Sequence, residues 1–278
     1  MSELTFQVTS FTCRDRTLGW VPEGDTIHNA ARRVGEALVG KAIESIETPH
    51  PRHGRDRWPE RLAGREVRSV EALGKHLLVR FDGGLMLHSH LRMTGWWGVY
   101  PRGARWGRSP RRAWLVLRTS EHEVVQFDGP VLELMTDSRT RVDQRLAGLG
   151  PDILAGEFDR ELFLRRLRED DPTRGIGDAL LDQRNLAGVG NRWKSEGCFH
   201  AGIDPWRPVA AVGDDEALRV VEELIPRMRD SAAGGVQTRE RAIFERAGLP
   251  CPRCGARISA RGQGDAGRTT YWCPGCQR

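Results

Sequence analysis

Lysine is almost missing from this chain. It occurs only at Lys41, Lys75 and Lys194, so 40 of the 43 basic residues are arginine. With alanine and glycine abundant as well, the arginine excess fits the codon usage of a GC-rich genome, and it makes each lysine worth following. Long apolar runs are absent too. None approaches the ~20 residues that span a bilayer, which excludes a transmembrane helix. Residues 1–20 have neither a basic start nor a continuous apolar stretch, which argues against a secretory signal, so a cytoplasmic location is expected. No internal repeat or low-complexity tract is present. Cysteine is missing from most of the chain: Cys13 and Cys198 stand alone, and Cys251, Cys254, Cys273 and Cys276 crowd into the tail. A disulfide framework would spread its cysteines, so this clustering reads as metal binding.

At 38% hydrophobic and 29% charged, the 278 residues have an ordinary globular composition, enough for two domains and a small module. The net charge of +5 suggests an anionic partner only weakly. Apolar residues at Ile27, Ala30, Ala31, Val34, Ala37 and Leu38 recur at helical spacing behind an N-cap expected at Asp25 or Thr26. Strand-like segments follow at 67–70, 76–81, 85–90, 96–100, 113–118 and 124–127, with Asp82-Gly83-Gly84 as a hairpin turn. They predict an antiparallel sandwich or barrel over 22–135. The basic loop 101–112 lacks apolar periodicity. Gly-Pro punctuation at 148–158 marks a linker. Helices are expected at 158–168, 177–182, 192–201 and 214–229, giving a helical domain over 150–240 and a four-cysteine unit over 243–278.

The tail has the spacing C-x2-C-x18-C-x2-C, which suits a closed, tetrahedral, structural zinc site. The gap of 18 predicts a long hairpin tip around 262–267. Four other features are ambiguous taken singly. Arg268 near that tip is either a solvated charge or a phosphate clasp. Asn191, behind Gly188 and Gly190, is expected to cap a helix; such a start is either an ordinary glycine turn or an anion site. Arg92, Met93 and Thr94 lie in a short interstrand loop, where Met93 is either core or a wedge for a base stack. Pro22 precedes the first helix, where no local rule demands it. As a first residue it would be a secondary amine, mostly unprotonated compared with lysine and able to form an iminium with a sugar carbon. Glu23 beside it would serve as proton donor or relay.

In order, "PEGDTIH" (22–28), "LGKHLL" (73–78), "HSHLRMTG" (88–95), "LGPDIL" (149–154), "LLDQRNLAGVGNRWKSE" (180–196) and "GRTTYWCPGCQ" (267–277) resemble the formamidopyrimidine-DNA glycosylase/endonuclease VIII family. The "PEGDT" opening is most similar to the actinobacterial endonuclease VIII branch. The resemblance covers essentially everything from residue 22 onward. It implies an α+β multi-domain fold: an N-terminal β-sandwich, a helix–two-turn–helix domain and a C-terminal four-cysteine zinc ribbon. It implies a glycosylase and abasic-site lyase of base excision repair, acting as a monomer on double-stranded DNA that carries oxidised bases, pyrimidines favoured, or abasic sites. By the same resemblance Pro22 is the Schiff-base nucleophile, Glu23 a proton donor, Lys75 the residue assisting β-elimination and Arg268 the arginine of δ-elimination. Asn191 grips a phosphate, Lys194 lies in a DNA-facing motif, and Arg92, Met93 and Thr94 fill the gap left by an extruded base.

One departure stands out. In the family, proline follows only the initiator methionine, whereas here 21 residues precede it. The leader is expected to be absent from the native protein, with Val21 standing for a GTG start codon; cleavage after Val21 would have the same result. If the leader is retained, the alternative is a non-catalytic DNA-binding or damage-recognition protein on the same scaffold.

Overall fold

The computed structural model describes residues 22–53, 56–235 and 241–278. The leader, with Cys13 and Val21, lies outside them.

The first helix, α1 (Gly24–Leu38), buries the predicted stripe Ile27, Ala30, Ala31, Val34, Ala37 and Leu38. Its N-cap is Glu23, not Asp25 or Thr26. Thr26 accepts a bond from the Glu23 N–H through Oγ1 at 3.4 Å as part of a capping box, while the Glu23 carboxylate also reaches the second domain. Beyond α1 come β1 (Ser45–Glu47), α2 (Trp58–Leu62), β2 (Val67–Leu73), β3 (His76–Phe81), β4 (Leu85–His90), β5 (Trp96–Pro101), β6 (Ala113–Arg118), β7 (His122–Phe127) and β8 (Val131–Thr136). They form two four-stranded antiparallel sheets, β1-β6-β7-β5 and β2-β3-β4-β8. Alternate residues such as Leu77, Val79, Leu87, Leu115, Leu117 and Val124 fill the space between the sheets, and α1 contributes Ile27, Val34 and Leu38 to the same core. This is the predicted sandwich, with α1 as a third component of its core.

The outer face of the second sheet has a smaller cover. Helices α3 (Asp137–Val142) and α4 (Gln144–Ala147) follow β8, and Leu146 packs on Leu78, Met86 and Met135. The helical domain then comprises α5 (Arg160–Glu169), α6 (Ile176–Ala179), α7 (Asn191–Ala201) and α8 (Asp214–Gly234) around Phe163, Leu167, Leu180, Trp193 and Leu224. The helix α7 starts one residue earlier than an Asn191 cap would give: Gly190 is the N-cap and Asn191 the first helical residue. In the tail β9 (Ser259–Gln263) and β10 (Arg268–Trp272) pair antiparallel, so the hairpin tip is 264–267. Among the described residues no helix is long and apolar enough to cross a membrane.

The helix α7 is the common axis. It is buried on nearly every side, and Phe199 joins the ribbon core of Ile243, Cys251, Ile258 and Cys273. Glu196, 1% exposed, accepts the backbone N–H groups of Ala242, Ile243 and Phe244 at 3.1, 3.2 and 3.0 Å. It thereby anchors the chain entering the ribbon. Burial pushes the Glu196 carboxyl upward and the three amides oppose that shift. Removing the carboxylate leaves three N–H groups without their acceptor. Glu196→Ala is therefore expected to cost about 2–4 kcal/mol, since unmade buried hydrogen bonds are expensive; a denaturant midpoint unchanged from wild type would contradict this.

Candidate active site and metal centre

The site is assembled where α1, the β2–β3 turn, the start of α7 and the β9–β10 hairpin meet. Its central contact is between domains. The Glu23 carboxylate accepts N–H groups from Gly190 (3.2 Å), Arg192 (2.9 Å) and Trp193 (3.2 Å). Free N–H groups at a helix start form a ready anion site, and here a side chain from the other domain fills it. Glycine makes this approach possible. A Cβ on Gly190 would lie 2.2 Å from Glu23 Cδ. The chain ahead of it also meets the α1 start directly: Gly24 N–H donates to the Gly188 carbonyl at 2.8 Å, and Gly188 has φ +96°. Pro22 is buried immediately before this clamp.

Lys75 follows Gly74 in the β2–β3 turn, and Asp152 fixes that turn. Asp152 is buried; its Oδ2 accepts Gly74 N–H at 2.7 Å and lies 3.3 Å from His28 Nε2, while Oδ1 accepts Leu154 N–H at 2.9 Å. The "LGPDIL" stretch is thus more than a linker. Its aspartate ties α1 and the lysine turn to the second domain, and its Gly-Pro punctuation gave no sign of that contact. Burial lowers the Lys75 ammonium to about 8; Glu23 and Asp25 oppose the shift and Arg268 adds to it. Glu23, Lys75 and Arg268 therefore share one electrostatic neighbourhood. Nearby, burial and neighbouring cations lower His76, His88 and His90 to about 3, 4 and 4, so these imidazoles are neutral at pH 7.

Arg268, first residue of β10, is exposed. Asn191 donates through Nδ2 to the Thr269 carbonyl at 2.8 Å, so in this conformation its amide holds the hairpin beside Arg268. Arg92, Met93 and Thr94 are exposed in a tight turn closed by Gly95 N–H on the Leu91 carbonyl at 2.8 Å. Met93 is 62% exposed, which excludes the core alternative. Lys194 requires a correction. Its side chain is completely buried, and its ammonium donates to Thr270 Oγ1 between α7 and the hairpin. It does not face the solvent where DNA would lie. The sequence motif containing it gave no sign of this, because the partner is 76 residues away.

The four tail cysteines converge. Sγ of Cys251 and Cys276 are 3.8 Å apart, and those of Cys254 and Cys273 are 3.5 Å apart. A tetrahedral ion with Zn–S near 2.3 Å needs sulfur separations of about 3.8 Å, so the set fits zinc and is too open for disulfides. Four thiolates leave no position for water, and the zinc is structural. Cys198, fully buried, is not part of the group. One zinc per folded chain is expected, with four sulfur ligands by X-ray absorption. Its removal by a chelator should melt the ribbon and leave the sandwich folded; a metal-free chain with an intact ribbon would contradict this.

Three domain families account for nearly all the chain: formamidopyrimidine-DNA glycosylase N-terminal domain over 21–143, formamidopyrimidine-DNA glycosylase H2TH domain over 149–241, and a zinc finger found in FPG and IleRS over 248–278. The chain is 42% identical over 267 residues to a probable endonuclease 8 2 of Streptomyces coelicolor, covering 92% of this chain and 94% of that protein. It is 36% identical over 265 residues to the DNA-(apurinic or apyrimidinic site) lyase Nei2 of Mycolicibacterium smegmatis, covering 92% of this chain and 99% of that one. Among solved structures, Lactococcus lactis Fpg in complex with DNA containing N7-benzyl-Fapy-dG superposes with a TM-score of 0.79 at 25% identity, over 92% of this chain and 100% of that chain. With the sandwich, the helical domain and the ribbon all matched in order, the chain belongs to the formamidopyrimidine-DNA glycosylase family.

Proposed function

We propose that the protein is a DNA glycosylase and abasic-site lyase of base excision repair that works as a monomer on damaged double-stranded DNA. The observation that carries this reading is the clamp of Glu23 on the start of α7, which fixes the residue after Pro22 at the domain junction in one electrostatic neighbourhood with Lys75 and Arg268. The relatives supply independent support, one being named an abasic-site lyase and others endonuclease 8.

The reaction follows from the chemistry of a terminal proline. The damaged nucleotide is flipped out of the duplex, and Arg92, Met93 and Thr94 enter the space it leaves. The neutral Pro22 nitrogen attacks C1′ and the glycosidic bond breaks. Glu23 takes the proton from the new ammonium and relays it to the departing base. Ring opening, in which O4′ takes a proton from water as the C1′–O4′ bond breaks, gives an iminium, which acidifies the C2′ hydrogen. Lys75 accepts that proton as the 3′ phosphate leaves, and a second elimination, with Arg268 and Asn191 holding phosphates, expels the 5′ phosphate. A one-nucleotide gap with phosphate ends results. Oxidised pyrimidines are the proposed substrates, on the strength of the "PEGDT" opening.

This chemistry requires Pro22 to be the first residue of the working chain, because an internal proline nitrogen is an amide. A protein beginning at Pro22 is expected to form a borohydride-trapped adduct with abasic duplex, and Pro22→Gly to lose it. Intact DNA binding with no adduct would leave a DNA-binding protein on the same scaffold. Since Lys75 is held near 8, its neutral, proton-accepting form grows roughly tenfold per pH unit below that value. The single-turnover elimination rate is expected to climb from about pH 6 to 8 and then level off, and to lose this slope in Lys75→Gln. A flat profile in the unmodified protein would contradict a role for Lys75 as base.

A further inference from the structure

Lys194 is an anomaly. It is one of three lysines in an arginine-rich chain, and it is fully buried in α7. Burying an ammonium is costly unless a carboxylate or several acceptors compensate it. Among the described residues, only the Thr270 hydroxyl is hydrogen-bonded to it. Burial lowers it to about 8; Cys198, Asp178 and Glu23 oppose that shift and Arg268 adds to it.

The neighbouring contacts form a directed chain. An ammonium can only donate, so Thr270 Oγ1 must accept from Lys194 and point its own hydrogen elsewhere. That hydrogen goes to Gln263 Oε1 at 2.7 Å, and Gln263 Nε2 donates to the Pro205 carbonyl at 2.7 Å. Each donor orients the next, from α7 through β10 and β9 to the turn before α8. The slot for Gln263 is built by glycine: a Cβ on Gly177 would lie 2.7 Å from its Oε1. One helical turn before Lys194, on the same face of α7, Asn191 holds the Thr269 carbonyl. Across the hairpin ladder, Gln263 stands directly opposite Arg268.

We propose that Lys194 is a positioning residue for the DNA-phosphate contact of Arg268, acting through Thr270 and Gln263 to fix the hairpin that carries the arginine. It touches no DNA itself. Fixing both sides of the ladder pair holds Arg268 at the cleft edge, so that binding need not spend free energy ordering the hairpin. This inference rests on the reading of Arg268 as a phosphate ligand.

The test measures affinity for a duplex carrying a tetrahydrofuran abasic-site analogue as a function of salt. Arg268→Ala should lower affinity about tenfold and reduce the salt slope by about one, as loss of one phosphate contact does. Lys194→Met/Thr270→Val removes both partners of the buried contact together, which avoids stranding a buried charge. It should keep wild-type zinc content and melt within a few degrees of wild type, yet reproduce the Arg268→Ala losses. Adding Arg268→Ala to it should cost nothing more. Thr270→Val alone, which changes no charge, should reduce the slope in the same way, and Thr270→Ser should restore it. If Arg268→Ala shows the defect while the double variant binds like wild type, the inference is overturned and the reading of Arg268 stands. Loss of zinc in the double variant also overturns it, because Lys194 is then a folding residue. If Arg268→Ala itself binds like wild type, the reading of Arg268 fails, and the inference with it.

Discussion

A carboxylate seated on the first turn of a helix in another domain is the contact on which this molecule depends. Glu23 caps α1 with its backbone and α7 with its side chain. Two helices from two domains are therefore indexed to one residue, and the residue before it has little freedom of position. The glycines at 24, 188 and 190 are the steric condition for this contact. A side chain at 190 would occupy the space of the carboxylate, and one at 24 would meet the Gly188 backbone at 2.9 Å. Asp152 repeats the device on a smaller scale by fixing the turn that presents Lys75.

The axis of the arrangement is α7, and its polar residues divide the labour along its length. Its first N–H groups receive Glu23; Asn191 and Lys194 take hold of the ribbon hairpin; Glu196 anchors the chain that enters the ribbon. A helix this deeply buried cannot be amphipathic in the usual sense, and its charged residues are consequently committed to particular partners. The two lysines nearest the cleft, Lys75 and Lys194, are both lowered to about 8 by burial. One is partly accessible beside Glu23 and suited to proton transfer. The other is sealed behind Thr270 and suited to orientation.

Much of this could be read from the sequence, and the rest could not for identifiable reasons. Short strand-like runs at 76–81 and 85–90 on either side of the Asp82-Gly83-Gly84 turn, and the helical stripe from Ile27 to Leu38, made the sandwich and α1 legible. The strands Ser45–Glu47 and Val131–Thr136 were not. The first is only three residues long, and the second follows the Asp128-Gly129-Pro130 punctuation. The four cysteines needed only their spacing. Helix caps were displaced by one to three residues, because the two cap residues, Glu23 and Gly190, meet each other across the domain junction. Lys194 and Asp152 failed for the same reason. Their roles are set by Thr270 and Gly74, each more than seventy residues away. Local pattern reports burial of a stripe well and the partner of a buried polar group poorly.

The central claim is that the clamp of Glu23 on α7 presents the Pro22 nitrogen as the nucleophile. The most direct measurement is to trap the protein beginning at Pro22 on abasic DNA with borohydride and locate the sugar remnant by tandem mass spectrometry. With lysine only at 41, 75 and 194, the competing amines are few and the map is unambiguous. The account predicts the remnant on the Pro22 nitrogen, with the lysines unmodified. A remnant on Lys75, with Pro22 unmodified, would contradict it.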